Sequence, residues 1–234
     1  MAVYLDLGDE QAARSVSAGT PQGARDRYFL LMYAGDWRAS GRAAYDAGSG
    51  DDCELWLANK AVRDYALKTG EFSRAITFIQ ANNDFEGDPA AHLNDCNIDA
   101  AFVLSQLLAA QGHASEAQAL RRSAMSWIDA IIANDARGMR RIRANALLLD
   151  GRRDEALAEL AEDFRSGNYS FWWYTLRHDP LWLPLHGDPR FQAIATDVQR
   201  YVDAQRGQLE ELRRRGIVPP ALRPGDSARN PGLK

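Results

Sequence analysis

Leu108-Ala-Ala-Gln-Gly112-His-Ala-Ser-Glu-Ala117 is the stretch that decides the fold of this chain. An apolar helical segment runs into a glycine, polar residues follow, and the fifth residue after the glycine is small. A glycine at that place ends a helix at no steric cost, and a small residue one turn into the next helix lets the two helices approach closely. The same writing occurs as Leu5-Asp-Leu-Gly8-Asp-Glu-Gln-Ala-Ala13, Tyr33-Ala-Gly35-Asp-Trp-Arg-Ala-Ser40, Leu67-Lys-Thr-Gly70-Glu-Phe-Ser-Arg-Ala75 and Leu148-Leu-Asp-Gly151-Arg-Arg-Asp-Glu-Ala156. The chain therefore spells a helix-turn-helix hairpin five times, with turn glycines 27, 35, 42 and 39 residues apart.

The segments between these turns support a purely helical reading. Of nine prolines only Pro21 and Pro89 precede residue 180, each where a helix would begin, which leaves residues 22 to 179 free to be almost entirely helical. Alanine is abundant, β-branched residues are sparse, and no stretch alternates apolar with polar residues, so strands are not expected. Thr20-Pro21 reads as a helix start, Gly48-Ser-Gly50 as a linker, and Asp51 or Asp52 as the cap of a helix carrying Leu55, Trp56, Ala58, Val62, Tyr65 and Ala66. Asp88-Pro89 is expected to restart a helix that continues through Leu108, after a loop over residues 82–88.

The closing region has a different character. Five aromatics fall within Tyr169-Ser-Phe-Trp-Trp-Tyr174, and the pairs Asp179-Pro180 and Asp188-Pro189 each read as an N-cap followed by a first-turn proline. A last helix carries Phe191, Ile194, Val198, Val202 and Leu209, places Arg213 to Arg215 at its negative end and stops at Gly216. The expected organisation is residues 1–165 as five hairpins, 166–216 as an aromatic-rich helical cap, and 217–234 as an extended or mobile tail.

Composition narrows the function classes. The net charge of −4 removes the excess of clustered Lys and Arg that phosphate contacts require, so direct nucleic-acid binding is not expected. No window is apolar enough to cross a membrane and no signal peptide is written at the N-terminus. Cys53 and Cys96 stand 43 residues apart without metal-site spacing and read as two buried free thiols, which with the lack of a leader implies a reducing, cytoplasmic setting. His92, His113, His178 and His186 are scattered, no nucleophile sits in a recognisable elbow, and no phosphate-cradling or dinucleotide-binding glycine pattern occurs. Neither catalysis nor a metal or cofactor is expected. His178-Asp179 would form an oriented base only if Asp179 were not already a helix cap.

The Leu-x-x-Gly and Gly-x-x-x-x-Ala writing over residues 1–165 resembles degenerate bacterial tetratricopeptide repeats, whose period is about 34 residues. The ending Asp179-Pro-Leu-Trp-Leu-Pro-Leu-His-Gly-Asp-Pro-Arg-Phe191 resembles the close of repeat arrays attached to bacterial transcriptional activators, nucleotide cyclases and kinases. The resemblance implies an all-α, right-handed superhelix that acts as a protein-interaction module in signalling or transcription regulation. It also implies an effector domain upstream of Met1. In such repeats the residues ten and six before the turn glycine line the concave face. Here these are Arg25 and Phe29, Lys60 and Asp64, Phe102 and Gln106, and Arg141 and Asn145. Arg25, Lys60, Asp64, Gln106, Arg141 and Asn145 are thus the candidate contacts to a partner peptide. Arg141 with Asn145 resembles the pair that holds a peptide carboxylate. An alternative function, a small-molecule sensor, would place its ligand beside Trp172, Trp173 and Trp182, which otherwise form the terminal core.

Overall fold

A computed structural model of the chain describes residues 1–17, 23–47, 55–85, 87–132 and 139–218, with the side chains of residues 23–25 excluded. Every regular element among the described residues is helical. The helix start at Thr20-Pro21, the linker 48–50, the caps Asp51 and Asp52, Cys53 and the tail from residue 219 lie outside them. Eleven α-helices follow in order: α1 (Ala2–Asp6), α2 (Glu10–Ser17), α3 (Gly23–Tyr33), α4 (Trp37–Ala47), α5 (Trp56–Thr69), α6 (Phe72–Asn82), α7 (Ile98–Gln111), α8 (Ala114–Ile132), α9 (Arg140–Leu149), α10 (Arg153–Arg165) and α11 (Pro189–Arg214).

The five turn glycines all adopt the left-handed conformation, with φ between 70° at Gly8 and 98° at Gly112. At Gly35, Gly112 and Gly151 the chain closes with one pattern: the glycine N–H donates three residues back and the next N–H donates five back, as Gly112 to Ala109 O and His113 to Leu108 O do at 3.1 and 2.9 Å. These bonds satisfy carbonyls that a helix end leaves orphaned. The small residues five positions on, Ala13, Ser40, Ala75, Ala117 and Ala156, are all buried, none more than 1% exposed.

The chain divides into two compact units, one formed by Trp37–Asn168 and one by Met1–Asp36 together with the chain from Tyr169 onward.

In Trp37–Asn168 each helix packs on its neighbours in sequence, and the first helices of successive hairpins also meet, α5 against α7 and α7 against α9. The layers differ in burial. All ten residues from Leu57 to Ala66 of α5 are buried, as are the eight from Ile98 to Ser105 of α7, whereas α8 buries only Ala117, Leu120, Ala124 and Ile128. The first helices α5 and α7 are therefore enclosed and the second helix α8 is one-sided. Close approach is built into α4, where a Cβ on Gly41 would stand 2.4 Å from Tyr65 Cβ.

In the other unit the first hairpin is held by residues from the end of the chain. Asp6 Oδ1 accepts the Phe171 N–H at 2.7 Å, the Trp172 indole N–H donates to Asp6 O at 2.7 Å, and Arg206 donates to Leu7 O from Nε and Nη2 at 2.9 and 2.7 Å. Phe171 adopts φ 54°, a conformation that costs a β-carbon residue roughly 1–2 kcal/mol and is held here by that bond to Asp6.

Three expectations are corrected. Asp88-Pro89 opens only a 3₁₀ turn, Pro89–His92, because Asn94 and Asn97 then capture the backbone: Asn94 Oδ1 accepts the N–H groups of Cys96 and Asn97, and Asn97 Oδ1 accepts that of Asn94. Asp179-Pro180 likewise starts no α-helix. Asp179 caps Leu181 at 3.1 Å, but Pro184 follows within one turn and only a 3₁₀ turn, Leu183–Leu185, forms. Cys96 is disulfide-bonded rather than a free thiol, since separation along the sequence does not bound separation in space. The ground for a reducing compartment is thereby lost. Asp188 behaves as read, accepting Arg190 N–H at 2.9 Å at the head of α11.

Candidate functional site

The candidate partner-binding residues of Trp37–Asn168 fall in two polar clusters, Lys60, Asp64 and Gln106 between α5 and α7 and Arg141 between α9 and α10. Lys60, on α5, sets its ammonium 2.9 and 2.8 Å from the two oxygens of Asp99 on α7, with 4% of the lysine exposed. Arg63 and Asp64 pair beside it at 2.9 and 2.8 Å, and Arg63 Nη1 reaches Gln106 Oε1 of α7 at 3.5 Å. Arg141, on α9, donates from Nε and Nη2 to one oxygen of Asp163 on α10 at 2.8 and 2.7 Å. Its Nη2 also meets Asn168 O, and its guanidinium lies 4.8 Å from the Phe164 ring centre. Asn168 Nδ2 donates to the other Asp163 oxygen at 2.9 Å. Asn145 is buried on α9, Phe102 is buried on α7, and the side chain of Arg25 lies outside the described residues.

The charges in each cluster balance: Lys60 and Arg63 against Asp99 and Asp64, and Arg141 against Asp163. Removing an ion from water costs several kcal/mol, and mutual attraction offsets that only with complete hydrogen bonding. Two of these pairs, Lys60 with Asp99 and Arg141 with Asp163, each tie two helices together. A second, neutral network lies alongside, where Asn59 and Asn83 exchange amide bonds at 3.0 and 3.3 Å and Asn97 Nδ2 donates to Asn83 O at 3.1 Å. The fork of Arg141, which a peptide carboxylate would need, is already engaged by Asp163.

Sequence reasoning missed Asp99, Arg63 and Asp163 because it assigned the charges ten and six residues before each turn glycine to a solvent face. The available signal was a charged residue inside an unbroken buried run: Asp99 opens a helix whose next five residues are Ala, Ala, Phe, Val and Leu. A buried acid of that kind requires a cation from a neighbouring helix.

The aromatic candidates belong to the other unit, where all three indoles are buried. Trp172 bonds Asp6 and carries the Arg177 guanidinium at 4.5 Å from its ring centre. Trp182 stacks on Phe191 at 6.0 Å. Trp173 is ringed by Tyr33, Phe171, Tyr174 and His178 at 5.1 to 6.4 Å, and its buried Nε1 has no hydrogen-bond partner. His178 Nε2 lies 3.1 Å from Tyr33 O. Burial holds its imidazole below the usual histidine range, against the pull of that carbonyl and with a smaller push from Arg177. Asp179 is spent on its cap, so the two do not form a base and its orienting acid.

Among the described residues no group of three or more His, Cys, Asp and Glu is placed to hold a metal ion, and no helix is long and apolar enough to cross a membrane. No family model, curated protein or solved structure matches the chain.

Proposed function

We propose that this chain is a non-catalytic protein-interaction module, a tetratricopeptide-like right-handed superhelix that presents a fixed helical surface to a peptide or domain of a bacterial regulatory system. One observation carries the reading: five left-handed glycine turns, each followed five residues later by a buried small residue. In Trp37–Asn168 this joins a pattern in which first helices meet first helices, the arrangement that stacks repeats into an array. Because Lys60, Asp64, Arg141 and Asn145 are committed to the interior, recognition falls to exposed side chains of the same hairpins.

The test uses the whole chain as bait in bacterial lysate, followed by calorimetric titration of each captured protein after purification. Saturable binding of a defined stoichiometry supports the reading. Capture no better than by heat-denatured bait, or turnover of any substrate in a hydrolase and transferase screen, would sink it.

A second reading, a small-molecule sensor, is favoured by the unpaired Nε1 of Trp173. It expects a metabolite-dependent shift of tryptophan emission that Trp173→Phe abolishes.

A further inference from the structure

The turn edge of Trp37–Asn168 carries two exposed cations, Arg38 and Lys68, that no acid among the described residues pairs. Trp37 opens α4, and two cations lie over its indole: the Arg38 guanidinium 5.2 Å and the Lys68 ammonium 4.8 Å from the ring centre. One cation suffices to meet the negative face of an aromatic ring, and a second adds like-charge repulsion. Arg38 and Lys68 are both exposed, and neither forms an ion pair among the described residues. Lys68 is well placed at the C-terminal end of α5, but Arg38 stands in the first turn of α4, where the helix dipole opposes a cation.

The charge continues along a row of rings. Trp37 meets Tyr65 at 6.3 Å, Tyr65 meets Tyr45 at 6.1 Å, and Tyr45 meets Phe78 at 5.3 Å. Over Tyr45, at 4.0 Å, lies Arg74 in the first turn of α6. Two acids border this row: Asp36 directly precedes Trp37, and Glu71 is occupied, accepting the Tyr65 hydroxyl at 2.7 Å and meeting Arg74 at 3.5 Å. The space around Gly70, between α5 and α6, is open, with nothing within 4 Å of the position its Cβ would take. Three cations thus lie along one row of rings in a chain whose net charge is −4.

We propose that this edge, formed by the first turn of α4, the α5–α6 turn and the first turn of α6, docks an acidic polypeptide segment through Arg38, Lys68 and Arg74. The proposal rests on the interaction-module reading and names the chemistry of the partner. Carboxylates from outside would neutralise the two cations on Trp37, and the rings beneath them would pack the aliphatic stems of the arriving Asp or Glu residues. Three cations are few for a nucleic-acid backbone, which is usually met by six or more.

The probe is a fluorescein-labelled octaglutamate peptide, titrated with the full chain and followed by anisotropy. Saturable binding that weakens with added salt is expected. Arg38→Gln combined with Lys68→Gln should weaken it about tenfold, since two rim charge contacts are each worth about a factor of three to five. Arg122→Gln with Arg153→Gln, both exposed and without an ion pair among the described residues, should leave it within about twofold. A fold-independent readout accompanies this: Arg38→Glu should abolish peptide binding while raising the melting temperature, because an acid replaces a base at a helix N-terminus. Three results would overturn the proposal: no peptide binding by the parent chain, equal binding by the double variant, or labelled oligothymidylate bound as tightly as the peptide. A captured partner that binds parent and double variant equally also overturns it, and leaves the interaction-module reading standing.

Discussion

The two units reach compactness by opposite routes. Trp37–Asn168 is assembled from helices adjacent in sequence, and its enclosed helices bury charge in matched pairs. The other unit joins the beginning of the chain to its end, with bonds such as Asp6 to Phe171 and Leu7 to Arg206, and fills its interior with aromatic rings. One unit depends on ion pairs between residues 22 and 39 positions apart, the other on a few polar bonds that close loops of 165 to 199. The difference teaches where each is fragile.

The largest effect should come from breaking a buried pair. Asp163 is fully buried, and Asp163→Ala leaves Arg141, 13% exposed, without its acid; the expected loss is about 3–5 kcal/mol by urea denaturation. Replacing both, Arg141→Met with Asp163→Leu, should recover most of it. A smaller effect is expected where helices touch: Gly41→Ala forces a Cβ against Tyr65 and should cost about 1–3 kcal/mol despite the better helix propensity of alanine. Loss near the bottom of either range at both sites would mean that Trp37–Asn168 relaxes easily, and the contrast with the other unit would fade.

The first hairpin offers a gentler perturbation. Arg206→Ala removes two donors from Leu7 O and should lower stability by about 1–2 kcal/mol. The sharper reading is amide exchange: α1 and α2 should lose protection while α7 keeps it. Uniform loss would show that the two units open together.

The smallest effect is a pH slope at His178. Its folded imidazole resists protonation, so the unfolded chain takes the proton first. Stability is complete above histidine's ordinary value of about 6.5 and declines as pH falls below it, levelling off once the folded ring also protonates. Melting temperatures across that range should show the decline, and His178→Gln should remove it. A slope unchanged by the substitution would assign it to other groups.

The hairpins were legible because a glycine with φ near 75° and an alanine at a helix contact are local requirements that each turn must write for itself. The site was less so. Periodicity assigns one face of a helix to solvent, and α5 has no such face from Leu57 to Ala66, so Lys60 and Asp64 were given an exposure they lack. The partners of Asp6 and Leu7 lie 165 to 199 residues away, and nothing near them in sequence names Phe171 or Arg206. Pairing at that distance leaves no periodic trace.

The interrupted unit also sets a timetable for synthesis. Its first 36 residues leave the ribosome before the segment that covers them, and the whole of Trp37–Asn168 is made in between. At about 5–20 residues per second that interval lasts roughly 7 to 26 seconds. Throughout it Phe29 and Tyr33, which meet Phe171 and Trp173 in the finished protein, wait without those rings, a natural opening for a chaperone.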